Sequence, residues 1–169
     1  KGDIMGMPFQ FIFSLLLIAV FLVVAFFSIK NFLELQRCSE IGLFTRELQN
    51  KIEEVWRAES AQQVFESSLP LGIDYVCFIN FSKSKNLVGL NSEQREKFSE
   101  IYDELQVYYK FNKENFYLFP RASGCDASKY SIKHVNLTSS GNPNCFENVQ
   151  GKVKIGLTKG FTDAFVVAK

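Results

Sequence analysis

Few side chains in this sequence could carry chemistry: four cysteines, a single histidine, two acidic pairs and two N-x-S/T sequons. The cysteines, Cys38, Cys77, Cys125 and Cys145, are spaced by 39, 48 and 20 residues, and none forms a C-x-x-C pair. Zinc knuckles and dithiol redox sites need close pairs, so these spacings argue against both. An even count in a small domain fits two disulfides and an oxidising, extracytoplasmic location; four reduced, buried thiols are the alternative. Three pairings are open. The preferred one is Cys38 with Cys77 and Cys125 with Cys145, because the second bond would staple a Gly/Ser/Asn-rich stretch poor in regular structure.

His134 sits between Lys133 and Val135 in an expected strand, with no second His or Cys at ligand spacing. It reads as an ordinary strand residue. The sequence holds no G-x-S-x-G, no H-E-x-x-H, no phosphate-binding glycine loop and no dinucleotide fingerprint; Gly151, Gly156 and Gly160 suit hairpins. Glu53-Glu54 and Asp103-Glu104 fall on helices among basic neighbours and read as solvated faces. The expectation is therefore no enzyme, no catalytic residue, no metal and no cofactor. Asn80-Phe81-Ser82 and Asn136-Leu137-Thr138 are glycosylation acceptors if the domain lies outside the cell, although the composition supplies roughly one sequon by chance. With 19 basic and 18 acidic residues the net charge is +1, which gives no single-sign field to recruit nucleic acid.

The element around which these residues must be arranged is Pro8–Ile29, 22 residues without a charge and with six phenylalanines. As a helix it spans roughly 33 Å, the hydrocarbon thickness of a bilayer. It is apolar on every side, so it belongs in lipid or packed all round against copies of itself. A secretory signal is a poorer fit, because its apolar region is shorter and ends in a small-residue cleavage site. Pro8 suits a first helical turn. After the run, Ile41, Phe44, Leu48, Ile52 and Val55 recur at helical spacing among charged residues. One continuous helix from about Pro8 to Ala58 follows, apolar first and amphipathic second. Gly42 is its weak point, a bend or a close contact. Trp56 is too far from Pro8 for an interfacial anchor and is expected in the core.

Beyond Ala61 the period becomes strand-like. Gln63–Glu66 and Ile73–Phe81 are expected to form a hairpin around Leu69–Gly72, the second strand central because it is apolar on both faces. Asn91, with Gln94 in the capping-box position, opens a helix whose stripe is Phe98, Ile101, Tyr102, Leu105 and Tyr109. Phe116–Phe119 and Tyr130–Leu137 are further strands, with loops at Arg121–Lys129 and Thr138–Asn144. Lys152–Leu157 alternates, with Val153, Ile155 and Leu157 inward, and Ala164–Ala168 returns as its partner. The expected fold class is α+β: a long N-terminal helix (1–58, of which 8–29 is the membrane or filament segment), then an extracytoplasmic antiparallel sheet domain with one packed helix (59–169). The positive-inside count opposes that topology, with Lys1 on one side of the run and Lys30, Arg37 and Arg46 on the other. The cysteines take precedence, because a basic leader ahead of Lys1 would reverse the count.

An apolar helix near the chain start, running unbroken into an amphipathic half that carries a small disulfide-bonded β domain, resembles the type IV pilin superfamily, most closely its archaeal members. Lys1-Gly2 is similar to the basic-Gly pair at archaeal prepilin cleavage sites, and cleavage there would start the chain at Asp3. The glutamate that bacterial pilins carry near their start is absent, and Asp3 is the only acid in reach. The resemblance covers about residues 1–58. It implies insertion in the cytoplasmic membrane before assembly, then an extracellular helical homopolymer. Pro8, Phe9, Phe11, Phe13, Leu16, Val20, Phe21, Val24 and Phe27 would pack in the filament core, leaving the domain outside for adhesion to surface ligands or other cells. A single-pass membrane protein with an extracytoplasmic binding domain is the alternative.

Overall fold

The computed structural model describes residues 6–123, 125, 128–137 and 141–169, with side chains from Gln10 on except Ala122. One α-helix, α1, runs from Gly6 to Arg57. The chain divides into two compact units, Lys1–Arg37 and Cys38–Lys169. The expected boundary lay at residue 58. The stripe Ile41, Phe44, Leu48, Ile52 and Val55 is fully buried in the main core, which assigns the amphipathic half of α1 to the domain.

The domain continues with β1 (Ala61–Ser68), β2 (Tyr75–Phe78), α2 (Ser92–Tyr109), β3 (Phe116–Phe119), β4 (Lys129–Tyr130), β5 (Asn144–Val149), β6 (Lys152–Lys159) and β7 (Val167–Ala168). The fold is α+β. All strand pairs are antiparallel, in the order β1-β6-β5-β2-β3-β4, with β7 on β6. The sheet lies between two helices. Val76, Phe78, Phe116 and Leu118 join the α1 stripe on one face, and Cys77, Tyr117 and Phe119 meet Phe98, Ile101, Tyr102, Leu105 and Tyr109 of α2 on the other. That is why β2 and β3 are apolar on both faces. The α2 stripe is the one the spacing predicts. Its capping box is formed: Asn91 Oδ1 accepts from Gln94 N at 2.7 Å and Gln94 Oε1 from Asn91 N at 3.4 Å.

The expected β1–β2 hairpin is absent. β1 pairs with β6 along its whole length, from Ala61↔Lys159 to Ser68↔Lys152, and β2 sits centrally between β3 and β5. The alternation of β6 matches that of β1, so the distant strand outcompetes the near one. β5 carries no sequence expectation beyond Asn144, the last residue of the expected loop. It turns into β6 through Gln150 and Gly151, both at positive φ (52° and 80°), the geometry of a tight hairpin. The Tyr130–Leu137 strand reduces to β4 and one parallel bridge, Val135↔Val166. Gly42 marks no close contact, since a Cβ there would meet nothing within 4 Å.

The disulfide preference is corrected. Cys38 bonds Cys125 and Cys77 bonds Cys145. The second bond follows from register: Cys77 and Cys145 lie directly opposite on β2 and β5, their Cα atoms 4.0 Å apart.

Candidate functional site

The apolar stretch of α1 is a helix long and apolar enough to cross a membrane, and none of its most hydrophobic window is buried within the chain. Phe11, Phe13, Leu16, Val20, Phe21, Val24 and Phe27 are each exposed over 50–70% of their surface. Ser28 Oγ donates to Val24 O at 2.8 Å, which removes one polar group from that surface. Pro8 and Phe9 lie on the helix, but their side chains fall outside the described residues, as do Lys1, Gly2 and Asp3 entirely. Phe32, Leu33 and Leu35 are as exposed as the residues before them. Lys30 ends the charge-free run, so a count of uncharged residues misses this extension. Side-chain spacing past the first charge would have found it.

Each Å² of apolar area withdrawn from water is worth about 25 cal/mol, so covering this surface is favourable.

The remaining candidates sit in the domain. All four cysteines are in disulfides. His134 is not a strand residue: its φ is +64° and its ring stacks on Trp56, centroids 3.7 Å apart and planes within 4°. Trp56 is half-buried and packs against the main core, as expected, and its Nε1 donates to Ala164 O at 3.0 Å. The pair pins the end of α1 against the segment leading to β7. Glu54 accepts from Lys51 Nζ at 2.9 Å and Gln63 Nε2 at 3.2 Å, and the Lys51 bond is the main reason its carboxyl is held below the ordinary range. Asp103 receives Lys85 Nζ at 2.8 Å. Both acidic pairs therefore lie on solvated helix faces. Among the described residues no three His, Cys, Asp or Glu side chains gather into a metal-binding group.

Of the sequons, Asn80 is half-buried. Its Oδ1 accepts from Ser82 N at 2.9 Å, and its backbone is clamped by the Asn142 side chain. Asn136 donates its backbone N–H to Val166 O, and Thr138 of that sequon lies outside the described residues.

No family model, curated protein or solved structure matches the chain. By length and composition the helix fits membrane insertion, and the two disulfides fit an oxidising, extracellular environment.

Proposed function

We propose that the chain is a structural subunit of an extracellular, type IV pilus-like filament. It enters the cytoplasmic membrane through α1, then polymerises through the same helix and displays the disulfide-bonded domain for adhesion. The observation that carries this reading is the exposed apolar surface on all sides of an unbroken helix that continues into a folded domain. A helix with no polar face has no preferred side. It can be surrounded by lipid or by neighbouring copies, and head-to-tail packing of copies that does not close yields a fibre. The alternative is a single-pass anchor with an extracytoplasmic binding domain, because the same helix satisfies a bilayer.

Detergent removal from the purified full-length protein separates the two. The filament reading expects ordered fibres by negative-stain electron microscopy, and expects Val20→Glu to abolish them while the domain stays folded. Amorphous aggregates or proteoliposome-only material, with no fibres from the unsubstituted chain, would sink it in favour of the anchor.

A further inference from the structure

The C-terminal end of α2 presents apolar side chains to solvent among cations. Val107, in the last turn of α2, and Phe111, just past its cap, are 79% and 92% exposed, and Tyr108 between them in sequence is 54% exposed. Arg121, from the short 3₁₀ turn Arg121–Ser123, lies over the Tyr108 ring at 4.1 Å from its centre. Lys110 caps α2, its Nζ 5.9 Å from the Phe111 ring centre, and Lys113 is exposed two residues after that phenylalanine. Among the described residues none of these three cations makes an ion pair. Glu114 is engaged by Lys129 at 3.3 Å, and Glu104, one turn before Tyr108, offsets one of the three charges.

We propose that this surface docks on an anionic lipid bilayer, with Phe111 and Val107 entering the headgroup–acyl boundary and Lys110, Lys113 and Arg121 contacting phosphates. The combination selects the partner. A bilayer interface accepts apolar groups, aromatic rings at headgroup depth and cations in one place, and so buries the valine and the phenylalanine more fully than a hydrated acidic polysaccharide does. Near an anionic surface each cation contributes roughly fivefold to partition. The proposal rests on α1 entering a bilayer: the charge-free run ends at Ile29 and the domain unit begins at Cys38, so covalent linkage keeps the domain within a few residues of the membrane segment. It applies to the subunit before assembly and equally to a single-pass anchor.

The test uses the full chain reconstituted in vesicles with brominated acyl chains, either phosphatidylcholine alone or with phosphatidylglycerol. In Trp56→Phe/Phe111→Trp the only tryptophan reports on the patch. Expected are blue-shifted emission and bromine quenching in the anionic vesicles. Both should fall back to the phosphatidylcholine level after Lys110→Glu/Lys113→Glu/Arg121→Glu. Hydrogen exchange across residues 107–113 of the unsubstituted chain, slowed by anionic vesicles and not by neutral ones, gives the same answer without any substitution. Unquenched emission and unaltered exchange while the protein floats with the vesicles would overturn the docking and leave the α1 reading intact. Equal quenching in both lipids would overturn the role of charge. Failure to float with any vesicle would remove the α1 reading itself, and the docking with it.

Discussion

Cys38, on the amphipathic half of α1, is bonded to Cys125, beyond β3, across a sequence separation of 87 residues. The helix stripe and the sheet it covers are thus held by a covalent tie as well as by the core. Closing a loop of that length removes roughly 4.6 kcal/mol of unfolded-state entropy in the chain-entropy model, an upper figure that engineered and native bonds often fall short of. Cys38→Ser/Cys125→Ser should lower the unfolding free energy of the domain by about 2–4 kcal/mol in urea titrations, with Cys77–Cys145 intact. An unchanged midpoint would mean that packing alone holds helix to sheet.

Phe44 is fully buried, its ring 5.4 Å from Phe65 and 6.5 Å from Phe116. Phe44→Ala should cost about 3–5 kcal/mol of domain stability. Phe21→Ala removes a ring that is 70% exposed; it should leave the domain midpoint where it was and weaken association through α1. Circular dichroism melts of both variants check the contrast, and a large loss from Phe21→Ala would contradict it.

Two glycines should respond in opposite directions. At Gly42, mid-helix with open space around its Cβ position, alanine should stabilise by up to about 1 kcal/mol. At Gly156 a Cβ would lie 2.9 Å from the Lys169 carbonyl oxygen, in a strand pair closed by reciprocal Gly156–Lys169 hydrogen bonds of 2.8 Å. Alanine there must push β7 away and should cost about 1–3 kcal/mol. Chemical unfolding of the two variants side by side measures both signs.

How much of this was legible from the residues divides along range. The α1 and α2 stripes and the inward set Val153, Ile155 and Leu157 are local periodicities, and the structure buries each as the spacing predicts; the capping box at Asn91, equally local, is formed. Partner choice is not local. Whether β1 meets β2 or β6, and whether Cys77 meets Cys38 or Cys145, depends on sheet order, which no window of sequence contains. β5 was hidden because Asn144, Glu147 and Asn148 look like loop. Asn148 in fact sends Nδ2 to the Ile73 carbonyl at 2.8 Å, satisfying a neighbouring turn from within the strand. The apolar helix was legible up to Lys30, and its extension through Leu35 was masked by the charges at Lys30 and Glu34.

Alkaline pH should destabilise the domain through its tyrosines. Burial raises Tyr117 well above the ordinary tyrosine range and pushes Tyr75, Tyr102 and Tyr130 up as well. These groups hold their protons more tightly when folded, so their contribution is complete below about pH 10 and is lost as pH rises through the folded values. Tyr117→Phe gives up the 2.6 Å bond from its hydroxyl to Glu114 O, costing roughly 1 kcal/mol at neutral pH, and should flatten the alkaline limb of the stability profile. Urea unfolding as a function of pH, with tyrosinate absorbance, reads both; an alkaline limb as steep as before would contradict the assignment.

The central claim, that α1 is the core of an extracellular fibre, is tested most directly by shearing intact cells that express the chain and asking where the 19.3 kDa protein goes. The account predicts that it pellets with fibres visible by electron microscopy and labelled along their length by antibody to the domain. Recovery solely in detergent-soluble membranes, with no labelled fibre in the sheared fraction, would contradict it and leave α1 as an anchor.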